Sequence, residues 1–427
     1  MTYLALLAGI VTFLPGSTYL ATIFSGLAIA LGWGNLRTVA RAIFGLILVL
    51  AGIAIAFEPA AIERASGNMA RISALIITVM LLSAVLAQSS DIKIISRSLF
   101  GGKASFRYLG MTGGTAILSV PLNFGAVGVI ATMIGVQIKE KGDSALARNA
   151  ARAVVRGFGA SPMASPLSIA VVMTITFLPA LTSWKLIAIS LPFAAVYLFA
   201  GALFREPESP ESKVVVAPES GAGAAWFRFV SIIALICLGA FTLTSQAGLL
   251  YSQAVTLTCL VSVVIGLLYR RVQDGRVAMP SLAMMNNELA IMGGSSFLGG
   301  VIGTFALNWM GSDFALPAWT YPLVAMAVPW LFFIGGAVGV NPIISGTLSG
   351  SILGPIWPEY GLLGLGLGIV TGWGSTIAGT PYSANALLLE RCTGYNSKMA
   401  AYDWSFKYSM VSLVASSILC ALFTLPF

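Results

Sequence analysis

The sequence predicts an all-α polytopic membrane protein built from two halves that repeat one plan in inverted orientation. Each half carries one re-entrant hairpin and one broken helix. Three observations lead there: the composition, a series of apolar runs near the length of a bilayer crossing, and paired polar interruptions inside some of those runs. Of 427 residues, 58% are hydrophobic and 9% charged, and the mean hydropathy is +0.92. A soluble domain would be about a quarter charged. Runs of about 20 apolar residues recur from end to end, which suits membrane helices; a β-barrel would need short alternating segments. The first run has no basic leader and passes into the next, so no cleaved signal peptide is expected.

The net charge of +8 is assigned to cytoplasmic loops by the positive-inside rule, not to nucleic acid. Cys237, Cys259, Cys392 and Cys420 lie apart without metal-ligand spacing and read as packing residues. The chain has no histidine, which removes imidazole relays, imidazole metal sites and Ser-His catalysis. With no clustered carboxylates and no cysteine pair, nothing supports an intramembrane enzyme, and no organic cofactor is expected.

Expected spans are 3–15, 18–34, 38–56, 70–88, 108–137, 157–181, 185–204, 226–246, 250–269, 279–310, 319–356, 360–389 and 405–426. Residues 1–37 hold two N-terminal helices, 38–204 the first repeat, 205–225 a cytoplasmic linker and 226–427 the second repeat. The runs 108–137 and 319–356 are too long for one crossing and too short for two. Each breaks at an asparagine, in "LSVPLNFGAVG" and "GAVGVNPIISG". Arms of about a dozen residues would reach about 18 Å, partway through a core of about 30 Å. They read as hairpins that enter and leave on one side. The runs 157–181 and 360–389 break at "GFGASPMASPLS" and "GWGSTIAGTPYSAN". The separation from Asn123 to Ser161 resembles that from Asn341 to Ser375, and this spacing pairs the halves.

With an N-terminus in the cytoplasm, the loops 35–41, 91–107, 139–156, 270–276 and 390–404 fall inside and hold most of the basic residues. The expected location is the bacterial inner membrane. The segment "REPESPESKVVVAPESGAG" reads as a flexible linker between the halves. In "KEKGDSALARNAARAVVRG", Arg148, Arg152 and Arg156 recur at helical spacing, which predicts an amphipathic helix on the cytoplasmic interface, as linking arm or anchor. Glu288, in "MMNNELAIMGGSS", is either a proton-coupling carboxylate or a solvated helix cap. Trp33, Trp184, Trp226, Trp309, Trp319 and Trp404 fit interfacial belts; Trp373, beside the second break, is expected to face the site.

Ser161-Pro162, Ser165-Pro166, Asn341-Pro342 and Thr380-Pro381 each place an N-cap residue before proline, so each reads as a helix start inside the membrane. Asn123, followed by Phe124 and Gly125, is a weaker version. Helix starts expose unpaired N–H groups and a positive dipole end, and several at one depth would hold an anion without arginine. The carbonyls of broken stretches suit a dehydrated Na⁺.

Four patches carry a family resemblance. "TAILSVPLNFGAVGVIATMIG" and "GAVGVNPIISGTLSGSIL" resemble the two hairpins of the ion transporter superfamily, in particular the divalent anion:sodium symporters. "GTPYSANALLL" is similar to their second broken helix, and "GASPMASPLSIAVV" to its first-half counterpart. The resemblance implies an elevator-type transporter: a homodimer in which a scaffold stays fixed while a transport domain carries a small organic anion, coupled to Na⁺ or, as a lesser option, H⁺. It implies Asn123 and Asn341 as tip residues for both substrate and cation. Gly159, Ala160 and Ser161 would line one cation site, and Ser375, Thr376 and Ala378 the other. Thr380, Pro381 and Asn385 would contact substrate. The family tip is Ser-Asn-Thr; here Leu122 and Phe124 flank Asn123, and Val340 and Pro342 flank Asn341. Ser119, Ser345 and Thr347 are the candidate replacement hydroxyls, and Phe124 and Gly125 border the substrate. An anion exporter or channel on the same fold is the alternative.

Overall fold

A computed structural model describes residues 1–208, 220–274, 282, 285–311 and 314–426. Among them there is no strand, and nine helical segments are long and apolar enough to cross a membrane. The helices form two bundles. In the first, α4 (Pro59–Ala87) is the central post, with 72% of its apolar stretch buried. Around it pack α1 (Thr2–Ile10), α2 (Ser17–Leu31), α3 (Thr38–Phe57), α12 (Tyr251–Asp274) and α14 (Gly294–Met310). The helix α11 (Ala222–Gln246) rests on α12 and on α5 (Ser90–Ser98). Only 22% of the α3 and α11 stretches is buried, which leaves these helices apolar toward their surroundings, as lipid-facing helices are. The short α13 (Asn286–Glu288) enters α14 through one π-helical turn, Leu289–Gly293. The expected first crossing is corrected: α1 has nine residues, about 14 Å, less than half a bilayer core. It tucks against α4, and no longer fixes the side of the N-terminus.

The second bundle holds both hairpins and both broken helices. These are α6 (Ala104–Leu122) with α7 (Phe124–Lys141), α8 (Ala145–Ala164) with α9 (Ile169–Phe177), α15 (Thr320–Ala337) with α16 (Pro342–Leu353), and α17 (Leu362–Gly379) with α18 (Ala384–Thr393). The helices α10 (Ser183–Gly201) and α19 (Phe406–Leu422) complete it. The halves match contact for contact. α6 packs on α8 as α15 packs on α17, and α10 on α8 as α19 on α17. The returning arms cross over, α7 onto α18 and α16 onto α9.

The bases of the hairpins lie at opposite ends. At one end Arg107 of α6 pairs with Glu208, Glu208 accepts from Asn149, and Arg148 pairs with Asp143, two residues beyond α7. At the other end Tyr321 of α15 donates to the Ile356 carbonyl just beyond α16, at 3.2 Å. Phe177 closes α9 against Gly350 and Gly354 of the second hairpin, and Cys392 closes α18 against Gly135 of the first. So α8–α9 and α17–α18 run in opposite directions, the inverted relation the spacing predicted. The arms of the first hairpin are longer than expected. α6 and α7 have 19 and 18 residues, because both helices continue past the apolar run into charged sequence at the base. A hydropathy pattern stops where charge begins, but a helix does not.

α8 and α17 cross at the centre. A Cβ on Gly374 would sit 2.4 Å from the Gly159 carbonyl oxygen, and one on Gly159 would sit 2.6 Å from the Ala378 Cβ. Gly374→Ala is expected to push the two helices apart. The cost should be about 1–3 kcal/mol, read as a lower midpoint of thermal unfolding in detergent.

The expected interfacial helix over 139–157 is not there. Its arginines belong to α8, which is mostly buried; Arg152 and Arg156 are 6% and 0% exposed. Arg152 donates to Glu206 at 2.6 Å and Arg148 to Glu206 at 2.9 Å. Helical spacing shows that the three share a face, but cannot tell a water-facing face from one facing buried acceptors. The start of the expected flexible linker is therefore strapped down at Glu206 and Glu208; residues 209–219 lie outside the described residues, as do Arg276 and Asp313. Burial pushes the Glu206 carboxyl up, but the bonds from Arg148 and Arg152 outweigh it and hold it below the usual carboxylate range. A depressed value stabilises the fold above the unfolded-state pKa, and that gain is lost as pH falls through the depressed value. Thermal melts of the native chain and Glu206→Gln should thus differ at neutral pH and converge at acid pH.

Candidate functional site

The first break is residues 165–168. α8 continues through Pro162 to Ala164, and α9 starts after Ser168, whose Oγ accepts from the Val171 N–H at 3.1 Å. The second break is 380–383. Ser383 sits at the start of α18 and donates to the Ile377 and Thr380 carbonyls at 3.0 and 3.1 Å. Ser161-Pro162 and Thr380-Pro381 are therefore not helix starts; the former is inside α8 and the latter opens a break. Asn341-Pro342 does start one: Asn341 Oδ1 accepts from the Ile343 N–H at 2.9 Å, with proline in the first turn. The other tip turns on Asn123, with φ 49° and ψ −128°, the one non-glycine residue with positive φ among those described. Such a conformation costs about 1–3 kcal/mol and persists where the surroundings impose it.

A cavity of about 300 Å³ lies on the seam between the bundles. The hairpin bundle contributes Ser119, Asn123, Phe124, Ser161, Asn341, Thr376, Thr380 and Asn385; the α4 bundle contributes Val79, Ile291, Met292 and Arg37. Four helix starts of the hairpin bundle line it: Asn123–Phe124 of α7, Ser168–Ala170 of α9, Asn341–Ile343 of α16 and Ser383–Asn385 of α18. Their dipole ends, and the first-turn N–H groups that no cap takes up, favour negative charge. Arg37 is exposed, so the cavity opens there, and it is the charged residue among the described lining. Phe124 packs on Phe158, with ring centroids 5.2 Å apart, and Trp373 lines the wall as expected.

Asn385 is the most demanding residue. It is 0% exposed, and neither its amide oxygen nor its amide nitrogen has a hydrogen-bond partner. A buried polar group in that state costs about 1–3 kcal/mol and calls for a ligand with both a donor or cation and an acceptor. The hydroxyls of Thr376, Thr380 and Ser119 donate back to Gly372, Thr376 and Thr115 carbonyls. Their hydrogens are committed, which leaves their oxygens to accept, a bias toward a cation. Among the described residues no group of His, Cys, Asp or Glu forms a metal cluster; a Na⁺ needs only neutral oxygens of this kind.

Other expected site residues are placed elsewhere. Gly125 lines a smaller neighbouring cavity. Thr347 bonds back to the Ile343 carbonyl at 2.8 Å and packs on Gly299 of α14. Ser345 lies beside Gly335 inside the second hairpin, and Gly159 and Ala378 face each other in the α8–α17 crossing. Ala160, Ser375 and Pro381 are outside the lining, although the Ser375 hydroxyl is buried without a partner. Polar lining residues that escaped the sequence analysis include Arg37, Ser168, Tyr382 and Ser383. The two serines had a readable signal, since "SPLS" and "TPYS" repeat one pattern, proline two residues before the cap. Trp404 is half-buried and stacks on the Arg152 guanidinium at 5.0 Å.

No protein-family model matches the chain, and no curated protein sequence does. Solved structures do resemble it, two of them as follows. The YdaH transporter of Alcanivorax borkumensis, described as having an unusual topology, aligns with a TM-score of 0.52 at 16% identity, over 93% of this chain and 98% of its own. MtrF of Neisseria gonorrhoeae, described as illuminating a class of antimetabolite efflux pumps, aligns with a TM-score of 0.50 at 13% identity, over 82% and 80%. At these identities the likeness is one of fold, and it does not extend to the narrower resemblance to divalent anion:sodium symporters.

Proposed function

We propose that this chain is a secondary active transporter of a small organic anion of carboxylate type, coupled to Na⁺ or, as the lesser option, H⁺. The single observation behind it is the meeting of four helix starts of the hairpin bundle and the unpartnered Asn385 amide around one cavity on the seam between bundles. The helix starts suit the anion. The oxygens of Ser161, Thr376, Thr380 and Asn385 suit the cation. The cavity walls come from both bundles, so sliding the hairpin bundle along α4 and α14 would carry the site, an elevator motion, with the α4 bundle as scaffold of a homodimer. The preponderance of arginine and lysine at the base of the first hairpin favours a cytoplasmic side for that end, and a bacterial inner membrane is the location this reading takes.

Uptake of radiolabelled carboxylates and sulfonates into proteoliposomes, with imposed Na⁺ and pH gradients, tests this. Uptake driven by a Na⁺ gradient is expected; uptake indifferent to every ion gradient overturns it. The likeness to MtrF favours a second reading, export. Export predicts that an outward-loaded substrate leaves the vesicle when the opposite gradient is imposed, under conditions where uptake fails.

A further inference from the structure

Beside the main cavity lies a second one of about 100 Å³, between the tip of the first hairpin and the α4 bundle. Asn123, Phe124 and Gly125 form its hairpin wall, and Ser83 and Met292 stand opposite. Ser83 donates to the Leu122 carbonyl at 2.9 Å, which ties the tip to α4 in this position. Glu288 also lines this cavity, and it is the one titratable group that does so among the described residues. Its Oε2 is buried and has no hydrogen-bond partner. The chain places it where α13 gives way to the π-helical turn, an irregularity that often accompanies functional sites.

The surroundings do not neutralise this carboxylate. The fixed positive charge that reaches it is Arg37, whose backbone N–H is held by the neighbouring Asn287 at 2.7 Å. Arg37 is exposed, so water screens it. An ionised carboxylate with an unpaired oxygen in a low-dielectric seam is costly. Sliding the hairpin tip across it would strip away what solvent it still meets.

We propose that Glu288 and the tip of the first hairpin form a site for a small monovalent cation, Na⁺ or a proton, whose occupation lets the hairpin bundle slide. The sliding part rests on the transporter reading above; the cation site does not. With the cation bound, the Glu288 carboxylate is compensated and the tip can pass. Without it, the tip is held beside an uncompensated carboxylate. The site is separate from the Asn385 cavity, with Asn123, Phe124 and Met292 standing between the two.

The test uses purified full-length protein with no organic anion present. Thermal unfolding is followed in NaCl against choline chloride at equal ionic strength, and across a pH series, for the native chain and Glu288→Gln. Proteoliposomes of both are given Na⁺ jumps and pH jumps on a solid-supported membrane. The native chain should gain stability and give a transient current with one of the two cations, and Glu288→Gln should lose both responses. A response to Na⁺ alone names Na⁺, and a response to pH alone names the proton; either supports the site. Equal responses in both proteins overturn it, and so does a native chain that responds to neither cation. Should Glu288→Gln fail to fold, Glu288→Asp keeps the charge with a shorter reach: a weakened response supports the site and an unchanged one overturns it. A cation response without uptake of any anion in the panel would sink the transport reading and leave this site standing. Anion uptake with an unaltered Glu288→Gln would do the reverse.

Discussion

Asn385→Ala should abolish gradient-driven uptake while leaving the protein as stable as before, or more so. Most substitutions of buried residues destabilise, so this is an unusual pairing, and it follows from the unpartnered amide. In the folded protein neither end of that side chain has a hydrogen-bond partner in the chain, so Ala removes no such bond and relieves a buried polar group whose cost is about 1–3 kcal/mol. When a ligand binds, the same amide supplies contacts to a charged group worth about 1.5–3 kcal/mol, or about ten- to hundred-fold in affinity. Uptake assays and thermal melts on one preparation check both halves. A variant that transports normally would mean the cavity is not the binding site; one that fails to fold would mean Asn385 is structural. Asn341→Ala is a useful contrast. Asn341 caps α16 through the Ile343 N–H, so its loss should reduce transport and also cost about 1 kcal/mol of stability.

Arg156→Ala should be among the most destabilising single substitutions in the chain. Arg156 is fully buried, and its guanidinium donates to the Tyr108 hydroxyl at 2.8 Å, the Gly201 carbonyl at 2.9 Å and the Trp404 carbonyl at 3.0 Å. It also stacks over Tyr408 at 4.6 Å. These carbonyls belong to the end of α10 and the turn before α19, where helix ends leave acceptors without intrahelical partners. Truncation orphans them inside the protein, at about 1–3 kcal/mol each. The sum is a large share of a total stability of about 5–15 kcal/mol. Loss of monodisperse protein in size-exclusion chromatography, or a large drop in melting midpoint, is the expected result. Arg156→Lys should recover little, because an ammonium lacks the planar fork that reaches three acceptors at once. Arg148→Ala should be mild by comparison, since its side chain is 30% exposed and its pairs are solvent-screened.

Several elements were legible because their cause is local. Both hairpin tips follow from an asparagine close to glycine or proline in an apolar run, and the structure turns the chain at Asn123 and Asn341. Both broken helices follow from small polar residues and proline, and both break within a few residues of the expected place. Other features were illegible because their cause is distant. Arg152 and Arg156 look like surface residues until Glu206, Tyr108 and Trp404 are brought to them from across the sequence. Thr347 and Ser345 look like binding hydroxyls until α16 is docked and one turns toward α14 and the other into its own hairpin. Arg37 enters the cavity only because the two bundles meet there.

The amino-acid order by itself determined the membrane class, the two hairpins, the two broken helices and their inverted pairing, since these depend on apolar run length, proline and capping residues over short stretches. The tertiary structure alone decided which polar groups share the cavity, which arginines are buried, and that the Asn385 amide and one Glu288 carboxylate oxygen are left without partners. Hydrogen bonding and desolvation depend on what lies within a few ångströms, and in a bundle of crossed helices those neighbours come from residues far apart in the chain.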